Sequence, residues 1–147
     1  MIGSILVATD ASPAANRALA VAIDMAVRYE ARLDIVYVIR EMQLPAKLKT
    51  MAEVESLTTA RGDVMMFVAN QVLDDASKLA GRKGVKTVNT HVGSGDPSGA
   101  IVNYARRRRS DLVILGTRGL SKAQGLLLGS VSRKVVNLCK VNCMIVR

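Results

Sequence analysis

Leu112-Val-Ile-Leu-Gly116-Thr-Arg-Gly119, followed after nine intervening residues by Gly129-Ser130-Val-Ser132, is the stretch that decides the fold. Leu112 to Leu115 is an apolar run with no polar interruption, the pattern of a strand buried on both faces. Glycine-rich backbone follows, and Ser130 to Cys139 reads as a helix opened by a hydroxyl residue. Glycines let main-chain N–H groups come close to an anion, and a helix N-terminus carries unpaired N–H groups and partial positive charge. The stretch therefore predicts a phosphate site at the carboxyl end of a buried strand. Gly116 would let backbone close on a sugar or phosphate, and Gly119 would support a tight turn with positive φ. Gly129 and Ser130 would open the helix, so that the N–H groups of Ser130, Val131 and Ser132 converge on the anion. The hydroxyls of Ser130 and Ser132 add donors, and Arg118, Lys122 and Arg133 are cations nearby. The segment between Gly119 and Gly129 is expected to act as a flap hinged at Gly125.

Working outward, strand-like and helix-like segments alternate along the whole chain. Ile2–Ala8 is β-compatible, and Ser12-Pro13 then gives a helix start, with Ser12 as N-cap and Pro13 in the first turn. Leu33–Ile39 is a second strand interrupted by Asp34, and a loop with Pro45 spans Arg40–Lys49. Apolar spacing predicts a helix over Thr50–Lys83, weakened at Gly62 and stopped by Gly84. Val85–Val92 reads as the third strand. Asp96-Pro97 starts the next helix, with Ala100, Ile101, Tyr104 and Ala105 on its buried side. Strand four is Asp111–Gly116 and strand five is Val141–Arg147. This alternation predicts one α/β domain over 1–147: a doubly wound, open sheet of five parallel strands with helices on both faces. Ligands bind such sheets outside the carboxyl ends of the strands.

Composition narrows the function classes. Half the residues are apolar, so the chain is expected to fold. No apolar run is long enough to span a membrane, and the first ten residues lack the basic start of a signal peptide, so the expected location is cytoplasmic. The net charge of +9 favours anionic partners. Only three tyrosines and one phenylalanine are present, too few for a stacking platform for nucleic acid. Arg106-Arg107-Arg108-Arg109 reads as a solvated helix end, with an anionic contact surface as the alternative. Cys139 and Cys143 have no companion ligands, and His91 is remote in sequence, so no metal site is expected. His91 reads as a strand-end or partly buried histidine and the two cysteines as ordinary core or near-surface thiols. Asp10 is either a turn aspartate or an acceptor for an adenine or ribose donor; the residues alone leave both readings open.

The glycine motif is neither a Walker A loop nor a Rossmann fingerprint; in Gly93-Ser-Gly95-Asp-Pro-Ser-Gly99 the third glycine falls one residue late. Together with Ile5-Leu-Val-Ala-Thr-Asp10-x-Ser12, Asp34-Ile-Val-Tyr-Val-Ile39 and Gly95-Asp-Pro97, however, it resembles the ATP-binding branch of the universal stress protein family over essentially the whole chain. The resemblance implies an adenine-nucleotide alpha-hydrolase-like sheet of order 3-2-1-4-5 with ATP in the crevice, Mg²⁺ on its phosphates. It implies that Ala8, Thr9, Asp10 and the backbone near Val38 hold the adenine and ribose end and that Gly116 lies by the ribose. Arg118, Gly119, Gly129, Ser130, Val131 and Ser132 would hold the phosphates. It implies a homodimer through residues 142–147. Two departures stand out: Ala8 where the family often has proline, and Met144 where proline often follows the cysteine.

The implied function is a nucleotide-dependent switch in the stress response. Gly116 to Lys134 contains no Asp, Glu or His, so no group is placed to orient a nucleophile or hold a metal. Hydrolysis is therefore expected to be slow or absent. The alternatives are a weak ATPase or phosphoryl-transfer enzyme, and a dimeric interaction module with a structural nucleotide.

Overall fold

Five strands pair in parallel in the order β3-β2-β1-β4-β5, as a computed structural model of the chain shows; it describes residues 1–41, 45–46, 51–117 and 128–147. The elements alternate as β1 (Ser4–Ala8), α1 (Pro13–Arg28), β2 (Arg32–Ile39), α2 (Ala52–Arg82), β3 (Val88–Ser94), α3 (Pro97–Arg108), β4 (Leu112–Gly116), α4 (Ser130–Leu138) and β5 (Asn142–Val146). β1 is central, with Ile5 level with Leu33 on one side and Leu112 on the other. Its side chains meet helices on both faces, which is why Ile5, Leu6 and Val7 are all fully buried. One apolar cluster unites Ile5, Val7, Ile35 and Ile114 with α1 and α2. The other unites Leu6, Val36, Val113 and Leu115 with Ile101, Tyr104 and Ala105 of α3 and Val135 of α4. Among the described residues, no helix is long and apolar enough to cross a membrane.

Local chemistry sets the helix ends. The Ser12 hydroxyl accepts from the Ala15 N–H and caps α1, while the Asp96 carboxylate accepts from Gly99 N–H and caps α3; a proline follows each cap. α2 ends in a Schellman turn. Gly84, at φ +98°, donates to Gly81 C=O, and the next amide, Val85, reaches back to Ala80 C=O. That turn corrects the third strand. Val85 belongs to the cap and packs into the core, pairing with β2 begins at Val88, and the strand runs on through Gly93 and Ser94 beside Val38 and Ile39.

α2 holds a second correction. It runs unbroken through Gly62, so the weak point expected there is absent. Its buried residues are Ala69, Leu73, Ala76 and Ala80, whereas Leu57, Val64 and Phe67 are exposed. The apolar spacing thus found the helix, but in its first half it marked exposed positions, whereas Leu79 near its end does pack against the core.

Asp34, which looked like a break in β2, is fully buried and ion-paired with Arg32 and Arg108. Asn89 of β3 also donates to it.

Candidate functional site: a cleft beyond the strand ends

The carboxyl ends of β1, β2 and β4 open into a cavity of about 470 Å³. Its floor is Ala8, Thr9, Val36, Leu115 and Gly116, and α4 enters from one side with Gly129, Ser130, Val131 and Ser132. Nine residues expected from the sequence line it together: Ala8, Thr9, Asp10, Val38, Gly116, Gly129, Ser130, Val131 and Ser132. Arg118 and Gly119, with Lys122 and the proposed hinge Gly125, lie outside the described residues.

The backbone at the floor is tightly constrained. Thr9 N–H donates to Val36 C=O, and the Thr9 hydroxyl accepts from Ala11 N–H, which holds Ala11 at φ +62°. Asp10 accepts from Ser12 N–H at 3.0 Å, so its carboxylate shapes the turn into α1 while also facing the cavity. The turn reading of Asp10 therefore holds, and the same side chain lines the cavity.

Gly116, which lines the cavity, has a packing reason that its sequence did not show. A Cβ there would sit 2.6 Å from the Ala14 carbonyl carbon and 2.9 Å from Ala15 N. Glycine is required so that β4 can meet the start of α1, and this contact brings two strand–helix junctions to one cleft. Ser132 has such a reason too. Its buried hydroxyl donates to Gly116 C=O at 2.7 Å, so its proton is used in bracing the floor. What the start of α4 still offers a ligand is main-chain N–H and the exposed Ser130 side chain. Gly129 stands at the N-cap of α4 with φ −65° and ψ 160°, and among the described residues no side chain caps the helix.

Among the four helices of the described residues, this N-terminus differs from the rest. Ser12 closes α1 and the Asp96 carboxylate closes α3; α2 has Glu53 and Glu55 in its first turn. Only α4 has neither a side-chain cap nor an acid in its first turn. Its positive end faces the cavity, where an anion gains from both the amides and the dipole.

The opposite wall was missed in the sequence. Arg61 and Met65, one turn apart on α2, line it with Arg40 from the end of β2, and Pro97 and Ile101 of α3 close it below. No ion pair is made by Arg40 or Arg61 among the described residues, and Asp10 is the one carboxylate on the wall. The described lining thus combines two arginines, one carboxylate and the start of α4 with apolar side chains. An i, i+4 pair on a long amphipathic helix carries no sequence signal for this role; only the packing of α2 against β2 and β3 reveals it.

Among the described residues no three His, Cys, Asp or Glu side chains cluster in a way that could hold a metal. The N–H donors of α4 suit phosphate oxygens rather than a cation.

The model of the universal stress protein family matches residues 1–147. The chain belongs to that family. This universal stress protein is 31% identical over 154 aligned residues to the universal stress protein YxiE of Bacillus subtilis, with all of both chains covered. In structure it is similar to the universal stress protein UspA from Lactobacillus plantarum, with a TM-score of 0.89 at 23% identity, covering 99% of this chain and 98% of that one. A further solved relative is a universal stress protein in complex with cAMP, with a TM-score of 0.72 and 25% identity over 99% of this chain and 97% of that one. These neighbours share the adenine-nucleotide alpha-hydrolase-like fold.

Proposed function

We propose that this universal stress protein binds ATP in the cleft and acts as a nucleotide-dependent regulatory switch with slow or no hydrolysis. The observation that carries the reading is the uncapped start of α4, with Ser130, Val131 and Ser132 opening into the cavity. The phosphates would lie on those amides. The nucleoside would cross Gly116 towards Val38, with Asp10 accepting from a base or ribose donor and Arg61 and Met65 covering the other side. Recognition of cAMP by a relative supports an adenine nucleotide as the ligand class. Mg²⁺ would be held by the phosphates and water, because the α4 cradle offers hydrogen-bond donors and no carboxylate.

Slow turnover follows from the same inventory. Among the described residues Asp10 is the cavity's carboxylate; it is engaged at the start of α1, and none lines the cavity from α4. Typical enzymes turn over at roughly 1 s⁻¹ or faster; a steady-state ATPase rate in that range would overturn the switch reading in favour of an enzyme.

β5 is an edge strand, paired with β4 alone, and Cys143 to Val146 on it are half-buried. Pairing of 142–147 with the same strand of a second copy would satisfy that edge. Sedimentation equilibrium tests this.

The nucleotide is tested by denaturing the purified protein and resolving any released ligand by anion-exchange chromatography. Thermal melts with ATP, ADP, AMP and cAMP are the companion. At 100 times the Kd, a ligand stabilises the native state by about 2.7 kcal/mol, which raises Tm by roughly 5–10 °C. No shift with any of the four at millimolar concentration would refute nucleotide binding.

A further inference from the structure

We propose that the end of the molecule opposite the cleft is a docking surface for an anionic lipid bilayer. In a doubly wound parallel sheet every strand starts, and every crossover helix ends, at the same end of the molecule. Here that topology gathers the last turns of α1, α2, α3 and α4 beneath the N-termini of five strands, across a sheet width of about 19 Å.

Two independent observations mark this end. The first is an excess of positive charge. Arg82, Lys83, Arg106, Arg107, Arg109 and Lys140 are all exposed here, and none is ion-paired among the described residues. The acids of the same half are already engaged. Asp24 pairs with Arg28, Glu30 with Lys86, Asp74 with Lys78, and Asp34 with Arg32 and Arg108. Asp111 accepts from the amides of Gly3 and Ser4, and Asp75 accepts from Gln71. One or two cations would suffice to complement the macrodipole of α3. Its end carries Arg106 to Arg109, of which Arg108 alone turns inward to the core.

The second observation is apolar exposure at the same end. Val27, Tyr29 and Leu138 are exposed at 39%, 51% and 59%, and each sits at a helix end on this side. Basic residues together with exposed apolar and tyrosyl side chains match a bilayer surface, where cations meet anionic headgroups and apolar tips enter the boundary layer. A nucleic-acid duplex fits less well. Nothing here presents a helix N-terminus to phosphates, and of the two tyrosines at this end Tyr104 is buried between His91 and Arg107.

The test is co-sedimentation of the full chain with vesicles of phosphatidylcholine alone and of phosphatidylcholine with phosphatidylglycerol. Binding is expected only with the anionic vesicles, and it should be lost as salt rises to about 1 M, where the Debye length is about 3 Å. A triple variant, Arg106→Gln, Arg107→Gln and Arg109→Gln, should lower the partition coefficient roughly 100-fold, since each surface cation near an anionic leaflet contributes about fivefold. Arg108 is left intact because the core needs it, and an unchanged thermal melt confirms the variant's fold. Tyr29→Ser with Leu138→Ser should weaken binding with the cations untouched, which separates lipid insertion from plain charge attraction. Failure of the wild type to sediment with anionic vesicles, equal binding by the triple variant, or retention on a DNA duplex without vesicle binding would each overturn the proposal.

Discussion

Arg108 reaches from the last turn of α3 to the carboxylate of Asp34, 74 residues earlier in the chain and fully buried in β2, with an NH2–Oδ1 distance of 3.0 Å. Arg32 holds the other oxygen at 3.0 Å and extends to Ser4 and to Arg108 C=O. With Asn89 donating as well, one carboxylate ties together β1, β2, β3 and α3. A buried carboxylate tolerates this position only because every donor around it is committed. Asp34→Ala is expected to destabilise the fold by about 3 kcal/mol, lowering Tm by roughly 10 °C, because donors aimed inward lose their acceptor. Arg108→Gln should also destabilise, by less, since Arg32 and Asn89 still hold the carboxylate. Urea denaturation of both variants checks the order; a smaller loss for Asp34→Ala would contradict it.

Arg109 ends α3 in the left-handed region at φ 51°, where Ser110 N–H closes on Ala105 C=O. A side chain there costs roughly 1–2 kcal/mol of strain that glycine avoids, partly offset by the larger unfolded-state entropy of glycine. Arg109→Gly should therefore raise stability by about 0.5–1 kcal/mol, read as a higher urea midpoint at unchanged slope. A lower midpoint would mean that the side chain contributes a contact outweighing its strain.

His91 stacks on Tyr104 with centroids 4.5 Å apart and planes 15° from parallel, and Arg107 sits over the same tyrosine ring. Burial first, and the Arg107 charge second, push the His91 pKa below its ordinary 6.5. The sign follows from proton uptake. As pH falls through about 6.5 the unfolded chain takes up the proton that the native state resists, so stability falls towards acid. The loss begins near the unfolded pKa and ends once the native imidazole also titrates. Comparing urea midpoints at about pH 7.5 and pH 5.5 should show this drop in the wild type and a smaller drop in His91→Phe. An NMR titration midpoint at or above 6.5 would contradict the argument.

The sequence showed the order of elements because each boundary is decided locally. Ser12-Pro13, Asp96-Pro97 and Gly84 act within one turn of chain, and the structure places a cap or stop at each. The amide-bearing end of α4 was legible for the same reason. What was hidden depends on residues meeting from afar. Arg108 looks like its three neighbours until α3 packs above β2, and Asp34 looks like an interruption until its donors arrive. Arg61 and Met65 join the cavity wall through the angle at which α2 crosses the sheet, which no periodicity encodes. The contact of Gly116 with the start of α1 was hidden because close backbone approach leaves the same mark in sequence whether the neighbour is a ligand or another helix.

Gly116 and Gly129 separate these two causes experimentally. At Gly116 the approaching backbone belongs to the protein, so Gly116→Ala drives a Cβ into Ala14 and Ala15. It should cost about 2 kcal/mol of stability, in the range of overpacked cores, before any ligand is added. At Gly129 the backbone angles of φ −65° and ψ 160° suit any residue, so Gly129→Val should leave the apo melting temperature nearly unchanged. Its isopropyl group would stand where a phosphate meets the amides of α4, and the nucleotide-induced rise in Tm should vanish. Paired melts with and without ATP distinguish the outcomes. Gly116→Ala should lower the apo curve, whereas Gly129→Val should remove only the ligand shift. A full shift surviving in Gly129→Val would place the phosphates away from the start of α4.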